Sequence, residues 1–177
     1  MSEEIPRFKY HPDPLATGSI EERPVDCACC KRTRSHVYVG PVYGERDLEE
    51  SLCPWCIADG SAAKLGASFS DDLPLMEGEV GEDIIQEVCA RTPGYTAWQQ
   101  DEWLCHCEDA CEFHGDATPE DLANASEDTR LAWQGLYGLT EDDWSRITKS
   151  YTPRGDQAFY KFVCRHCHAV RLGWDSA

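Results

Sequence analysis

Eleven cysteines in 177 residues are the first feature of this chain that could do chemistry, and they are clustered. Cys27 and Cys30 form one CxxC pair and Cys53 and Cys56 a second, with 22 residues between the pairs. Two intervening residues let both thiolates reach one tetrahedral ion while nearby amides soften the charge. Two such pairs favour metal ligation over four buried reduced cysteines. Cys29 also permits a CxC grip within CACC, but Cys27 and Cys30 are the preferred pair. The first pair precedes the strand-like SHVYVG, and the second opens a helix marked by Pro54. That order is treble-clef-like, and a helix start favours thiolate.

The densest stretch is WLCHCEDACEFHG, residues 103 to 115. Cys107 and Cys111 are spaced i, i+4, so on a helix they share a face. They are expected to join Cys164 and Cys167 of the C-terminal CRHC turn around a second ion. Cys105, His106, His114, His166 and His168 could substitute as ligands there, and the division of the eight cysteines between two ions stays open. Cys89 lies on an apolar helical stripe and is expected in the core. Catalytic zinc is weighed through the deaminase pattern, HxE followed by PCxxC. His106-Cys107-Glu108 and Cys164-Arg165-His166-Cys167 approximate it, with Val163 where proline belongs. HExxH, GxSxG and phosphate-binding glycine loops are absent. A four-thiolate site leaves no open position. Two structural zinc ions are therefore expected, with a hydrolase or deaminase using Glu108 as the competing reading.

The elements that must position these residues give an α+β domain over residues 1–177. A first zinc module spans 27–66, and a mainly helical acidic region spans 82–149. The second zinc module combines 105–111 with 157–174. GEDIIQEVCART, TPEDLANASEDTRLAWQGLYG and LTEDDWSRITKS carry helical stripes or caps. A weak stripe places Trp98, Glu102 and Cys105 on one helical face. QAFYKFVCRHCHAVRLGWD reads as two strands flanking a cysteine turn. Trp55, Trp98, Trp103 and Trp133 are the tryptophans expected in or near the core.

The formal net charge is −17, and residues 77 to 128 hold fifteen acids against one base, Arg91. Such a surface repels phosphate backbones, despite the local run KRTR at 31–34, and suits a basic protein partner. Glu108, Asp109, Glu112, Asp116 and Glu120 are the residues expected to meet it. No segment reaches the roughly 18 apolar residues of a membrane span. MSEEIPRFKYHPDP lacks the basic start and apolar run of a signal peptide, so the cytoplasm is expected. There, clustered thiols favour metal over disulfide.

FKYHPDPLATGSI, CPWCIADGSAA, RTPGYTAWQQ and HCEDACEFHGD resemble the CbrC family of bacterial proteins, named for a member linked to colicin tolerance. The resemblance runs from about residue 8 to the C-terminus. It implies the cysteine positions Cys27, Cys30, Cys53, Cys56, Cys107, Cys111, Cys164 and Cys167, with Cys29 and Cys105 as additions. It also implies protection against a bacteriocin or related toxin. With the charge, that gives the functional expectation: a zinc-binding acidic protein that neutralises a basic, nuclease-type toxin by direct binding.

Overall fold

The computed structural model describes residues 4–177. Four two-residue strands come first. β1 (Ile20–Glu21) pairs antiparallel with β4 (Val37–Tyr38), and β2 (Val25–Asp26) with β3 (Thr33–Arg34). α1 (Pro54–Ala58) starts with Pro54 in its first turn, where the missing N–H leaves no bond unmade. A 3-10 turn (Ala63–Leu65) and the short α2 (Leu73–Glu77) follow. Ile20, Val37, Tyr38, Leu52, Ile57 and Phe69 bury one another around Cys27, Cys53 and Cys56. Regular structure is so sparse here that ligation at the cysteines would be the main cross-link.

α3 (Glu82–Arg91) buries Ile85, Val88 and Cys89, as its stripe requires, with Glu82 and Asp83 at its positive end. Beyond it the expected helical face of Trp98, Glu102 and Cys105 does not form. Pro93 and Gly94 break the helix, and the Gln99 amide instead donates to Asp175 at 2.7 Å. Trp98 is consequently 56% exposed rather than in the core. The hairpin β5 (Cys105–His106) and β6 (Asp109–Ala110) follows, then β7 (Glu112–Asp116).

α4 (Pro119–Ala123), α5 (Glu127–Tyr137) and α6 (Glu141–Lys149) are capped by Thr118, Ser126 and Thr140, each accepting from an amide three residues on. The helical stretch expected over 82–149 is thus interrupted by irregular chain and three strands. β8 (Gln157–Val163) and β9 (Val170–Ser176) close the chain as a hairpin, with β8 central in the order β7-β8-β9. Being central, β8 is buried on both faces. Ala158, Tyr160 and Phe162 face Tyr95, Trp103 and Phe113. Phe159 points the other way, to Trp133, Trp144, Ile147 and Tyr151. Trp103 and Trp133 are core residues as expected, Trp55 is half-buried, and Trp144 is a buried tryptophan the periodicity did not single out. Among the described residues no helix is long and apolar enough to cross a membrane.

Candidate metal centres

Two groups of ligating atoms converge, each within 4.8 Å: Cys27, Cys30, Cys53 and Cys56, and His106, Cys107, Cys164 and Cys167. One CxxC pair in each group, Cys27 with Cys30 and Cys164 with Cys167, sits in the same backbone turn. The Cys27 amide donates to the Arg32 carbonyl (2.9 Å), and the Lys31 amide to the Cys27 carbonyl (2.9 Å). At the other end of the chain the Cys164 amide donates to the Ala169 carbonyl (2.9 Å), and the His168 amide to the Cys164 carbonyl (3.0 Å). Lys31 and His168, each just after its second cysteine, share a left-handed φ of 57° and 60°. Local sequence alone therefore aims each of these pairs at one point.

At the first centre Cys53 stands at the N-cap position of α1 without a capping side-chain bond, and its amide donates to Cys27 Sγ at 3.4 Å. Cys27 Sγ lies 3.8 Å from Cys56 Sγ, and Cys30 Sγ 4.0 Å from Cys53 Sγ. A tetrahedral ion with metal–sulfur bonds of about 2.3 Å spaces its sulfurs by about 3.8 Å. Those two separations match that spacing, and all four sulfurs lie within 4.8 Å of one another. Burial opposes ionisation of Cys30, but hydrogen bonds from the Arg32 backbone and the Arg34 side chain outweigh it and bring the thiol down to about 7. Burial pushes Cys53 up to about 12. A buried group of four thiols in which only some ionise readily is one that a cation would complete. Cys29 lies outside the group.

The second centre departs from the expected ligand set. Residues 105–110 form a hairpin, not a helix, so Cys107 and Cys111 do not share a face. Cys111 is fully buried beside Trp103, Phe113 and Phe162, and its carbonyl accepts from Trp103 Nε1 at 2.9 Å. His106 takes its place: Nδ1 lies 3.3 Å from both Cys107 Sγ and Cys167 Sγ, which are 3.8 Å apart. For a ring nitrogen and a sulfur on one tetrahedral ion the spacing is about 3.5 Å. Cys107 and Glu108 occupy the hairpin turn with φ of 54° and 58°. That is the two-residue primed turn that normally uses Asn-Gly, and L-residues there are strained by roughly 1–2 kcal/mol each. That turn places the Cys107 sulfur beside Cys167 in the Cys164 turn.

Burial opposes ionisation of Cys164, yet the backbone amide of Cys167 and a hydrogen bond with His106 bring it down to about 6. The His106 Nε2 atom lies 2.8 Å from an Arg171 guanidinium nitrogen, which donates to it. An ion held through Nδ1 would put the ring proton on Nε2, and the guanidinium would then have to turn from that atom onto Asp128, already 2.8 Å away. Cys105 takes no part: burial pushes its thiol up to about 11, and its sulfur faces the Trp103 carbonyl. His114, His166 and His168 also lie outside the group.

His166 has a different task. Asp109, expected to face a partner, is buried and accepts from Tyr10 Oη (2.6 Å), Arg165 (3.1 Å) and His166 Nε2 (2.9 Å). Burial works against its charge, but those bonds hold its carboxyl below the usual carboxylate range. The network ties the Cys107 hairpin to the Cys164 turn, and it leaves Asp109 unavailable to a partner. Glu112 is half-buried against Arg165 and His114, whereas Glu108, Asp116 and Glu120 are exposed. The C-terminal hairpin further neutralises the acidic stretch through Lys161 on Asp121 and Arg171 on Asp128. Its fifteen-to-one count therefore overstates the free charge.

Among known proteins, the family model of an uncharacterised protein family, UPF0167, matches residues 5–176. A UPF0167 protein of Pseudomonas aeruginosa is 49% identical over 183 aligned positions, covering 99% of each chain. UPF0167 proteins of Mycobacterium bovis and Mycobacterium tuberculosis are each 41% identical, covering 93% of this chain and 90% of theirs. No solved structure matches.

Proposed function

The chain belongs to the UPF0167 family, and on that premise we propose that it is a zinc-stapled acidic interaction protein of the bacterial cytoplasm. The observation that carries the reading is the spacing of the two ligand groups, 3.8–4.0 Å between sulfurs and 3.3 Å from sulfur to imidazole. Thiolate-rich tetrahedral sets select zinc over the hard cations. Four side chains fill each shell, so the ions act as cross-links. A hydrolase or deaminase reading through Glu108 would need a position left open to water, which a filled shell denies it.

The partner is a basic protein, of the nuclease-toxin type that the CbrC resemblance suggests. The support is the −17 net charge together with the exposed Glu108, Asp116 and Glu120 and the half-buried Glu112. Steering by those carboxylates makes association salt-sensitive, because the Debye length is about 8 Å at 0.15 M. The test is association with purified nuclease toxins from the same genome, at rising salt. Reversing Glu108, Asp116 and Glu120 to Lys should slow association and leave two zinc ions per chain. A reversed variant that associates and protects cells as well as its parent sinks the reading.

A further inference from the structure

The apolar surface between α2, α5 and β9 opens into a cleft of about 590 Å³, lined by Trp103, Trp133, Leu136 and Tyr137 with Glu77 and Glu102 among them. It adjoins a second cleft of about 540 Å³ that shares Glu102 and Tyr137 and adds Asp175. Leu136 is 52% exposed at the wall, an apolar side chain left in water. Neither the Glu77 nor the Glu102 carboxylate has a hydrogen-bond or ion-pair partner among the described residues, in contrast to Asp109, Asp121, Asp128 and Asp143, each of which meets a base. Among the described residues Asp175 accepts only from the Gln99 and Ser176 amides. The one base at the cleft, Arg171, is committed to Asp128 and His106. Burial, and then the charges of Asp175 and Glu77, raise the pKa of Glu102.

An anion would be repelled here. A purely apolar ligand would strip water from carboxylates that then meet no cation, which is unfavourable. A cation beside an apolar anchor satisfies both surfaces: its charge meets Glu77 and Glu102, and the half-exposed ring of Tyr137 is the aromatic face within its reach, Trp103 and Trp133 being buried beneath. We infer that this double cleft docks a peptide segment of the partner in which a Lys or Arg stands next to a bulky apolar residue. The inference rests on the basic-partner reading and moves the anchor point away from the β5–β6 hairpin, β7 and α4, where Glu108, Asp116 and Glu120 lie.

The probe is the tetrapeptide acetyl-Leu-Arg-Phe-Lys-amide, which lacks tryptophan, titrated into the zinc-loaded protein by tryptophan fluorescence and amide NMR. Saturable shifts at Trp133, Leu136 and Tyr137 are expected, with none from acetyl-Leu-Glu-Phe-Glu-amide. The double change Glu77→Gln with Glu102→Gln should weaken the dissociation constant at least tenfold. Leu136→Ser, at an exposed position, should weaken it as well. Glu108→Gln with Glu120→Gln should leave it unchanged. Loss confined to the Glu108 and Glu120 variant overturns the cleft and leaves the basic-partner reading standing. No saturable shift anywhere up to millimolar peptide overturns the cleft, and the basic-partner reading then stands or falls on the toxin association alone. Equal binding of the acidic peptide overturns the charge argument.

Discussion

Replacing His106 and, separately, Cys111 by alanine decides between the two ligand sets for the second centre. Cys111 is fully buried, in the core cluster that also holds Trp103, Phe113 and Phe162. Cys111→Ala removes one buried heavy atom, worth about 1–2 kcal/mol of stability by transfer and cavity terms. It should leave two metals bound. His106→Ala removes a ligand whose Nδ1 stands 3.3 Å from two sulfurs. Altering even a supporting residue of a metal site lowers affinity about 10–100-fold, so losing a ligand should exceed that. The assay is metal count by mass spectrometry under a competing chelator, with X-ray absorption for the shell. With one four-sulfur and one three-sulfur, one-nitrogen centre, the parent should average about 3.5 sulfurs and about 0.5 nitrogen per zinc. His106→Ala should lose the second metal and leave a shell of about four sulfurs. A parent shell of four sulfurs per metal, or loss of one metal from Cys111→Ala, would refute the hairpin geometry.

Cys56→Ala should strip the first centre and unfold the segment around it, because structural zinc contributes about 10–16 kcal/mol and whole domains are stable by only about 5–15; both metals retained at full occupancy would show that centre wrongly drawn. Asp109→Asn keeps the shape of the carboxylate but not its charge, and should lower stability by about 1–3 kcal/mol and loosen the second metal, read by melting temperature and chelator competition; unchanged values would mean the three bonds to Asp109 position nothing. Burial pushes His11 down to about 4 against its ordinary 6.5, while its Nδ1 bonds the Pro93 carbonyl at 2.7 Å. As pH falls below 6.5 the unfolded chain takes up a proton that the folded chain refuses, so stability declines with falling pH and by pH 5 should be down by about 2 kcal/mol. Denaturant titrations of the parent and of His11→Gln between pH 7 and pH 5 measure the difference, and parallel curves would rule that histidine out.

Residue identity and spacing alone determined the turns at Cys27 and Cys164, because each is closed by hydrogen bonds within a short span of chain and needs no distant partner. The same holds for α3 and for the three helices capped by Thr118, Ser126 and Thr140, where a cap and a first-turn acid are local facts. The pairing of Cys27 and Cys30 with Cys53 and Cys56 was also the simplest reading of the spacing. What lies between Thr92 and Ala117 was decided by tertiary structure. There the i, i+4 spacing of Cys107 and Cys111 suits a helix, but β7 is held in register by β8, and that pairing extends the chain. Extension turns Cys111 into the core and brings His106 to the Cys164 turn. Asp109 shows the same limit: its composition marks it as surface charge, and only the meeting of Tyr10, Arg165 and His166 from two distant segments makes burial of a carboxylate tolerable. The cleft at Glu102 is likewise a product of packing, since α2, α5 and β9 bring its walls together from distant parts of the chain.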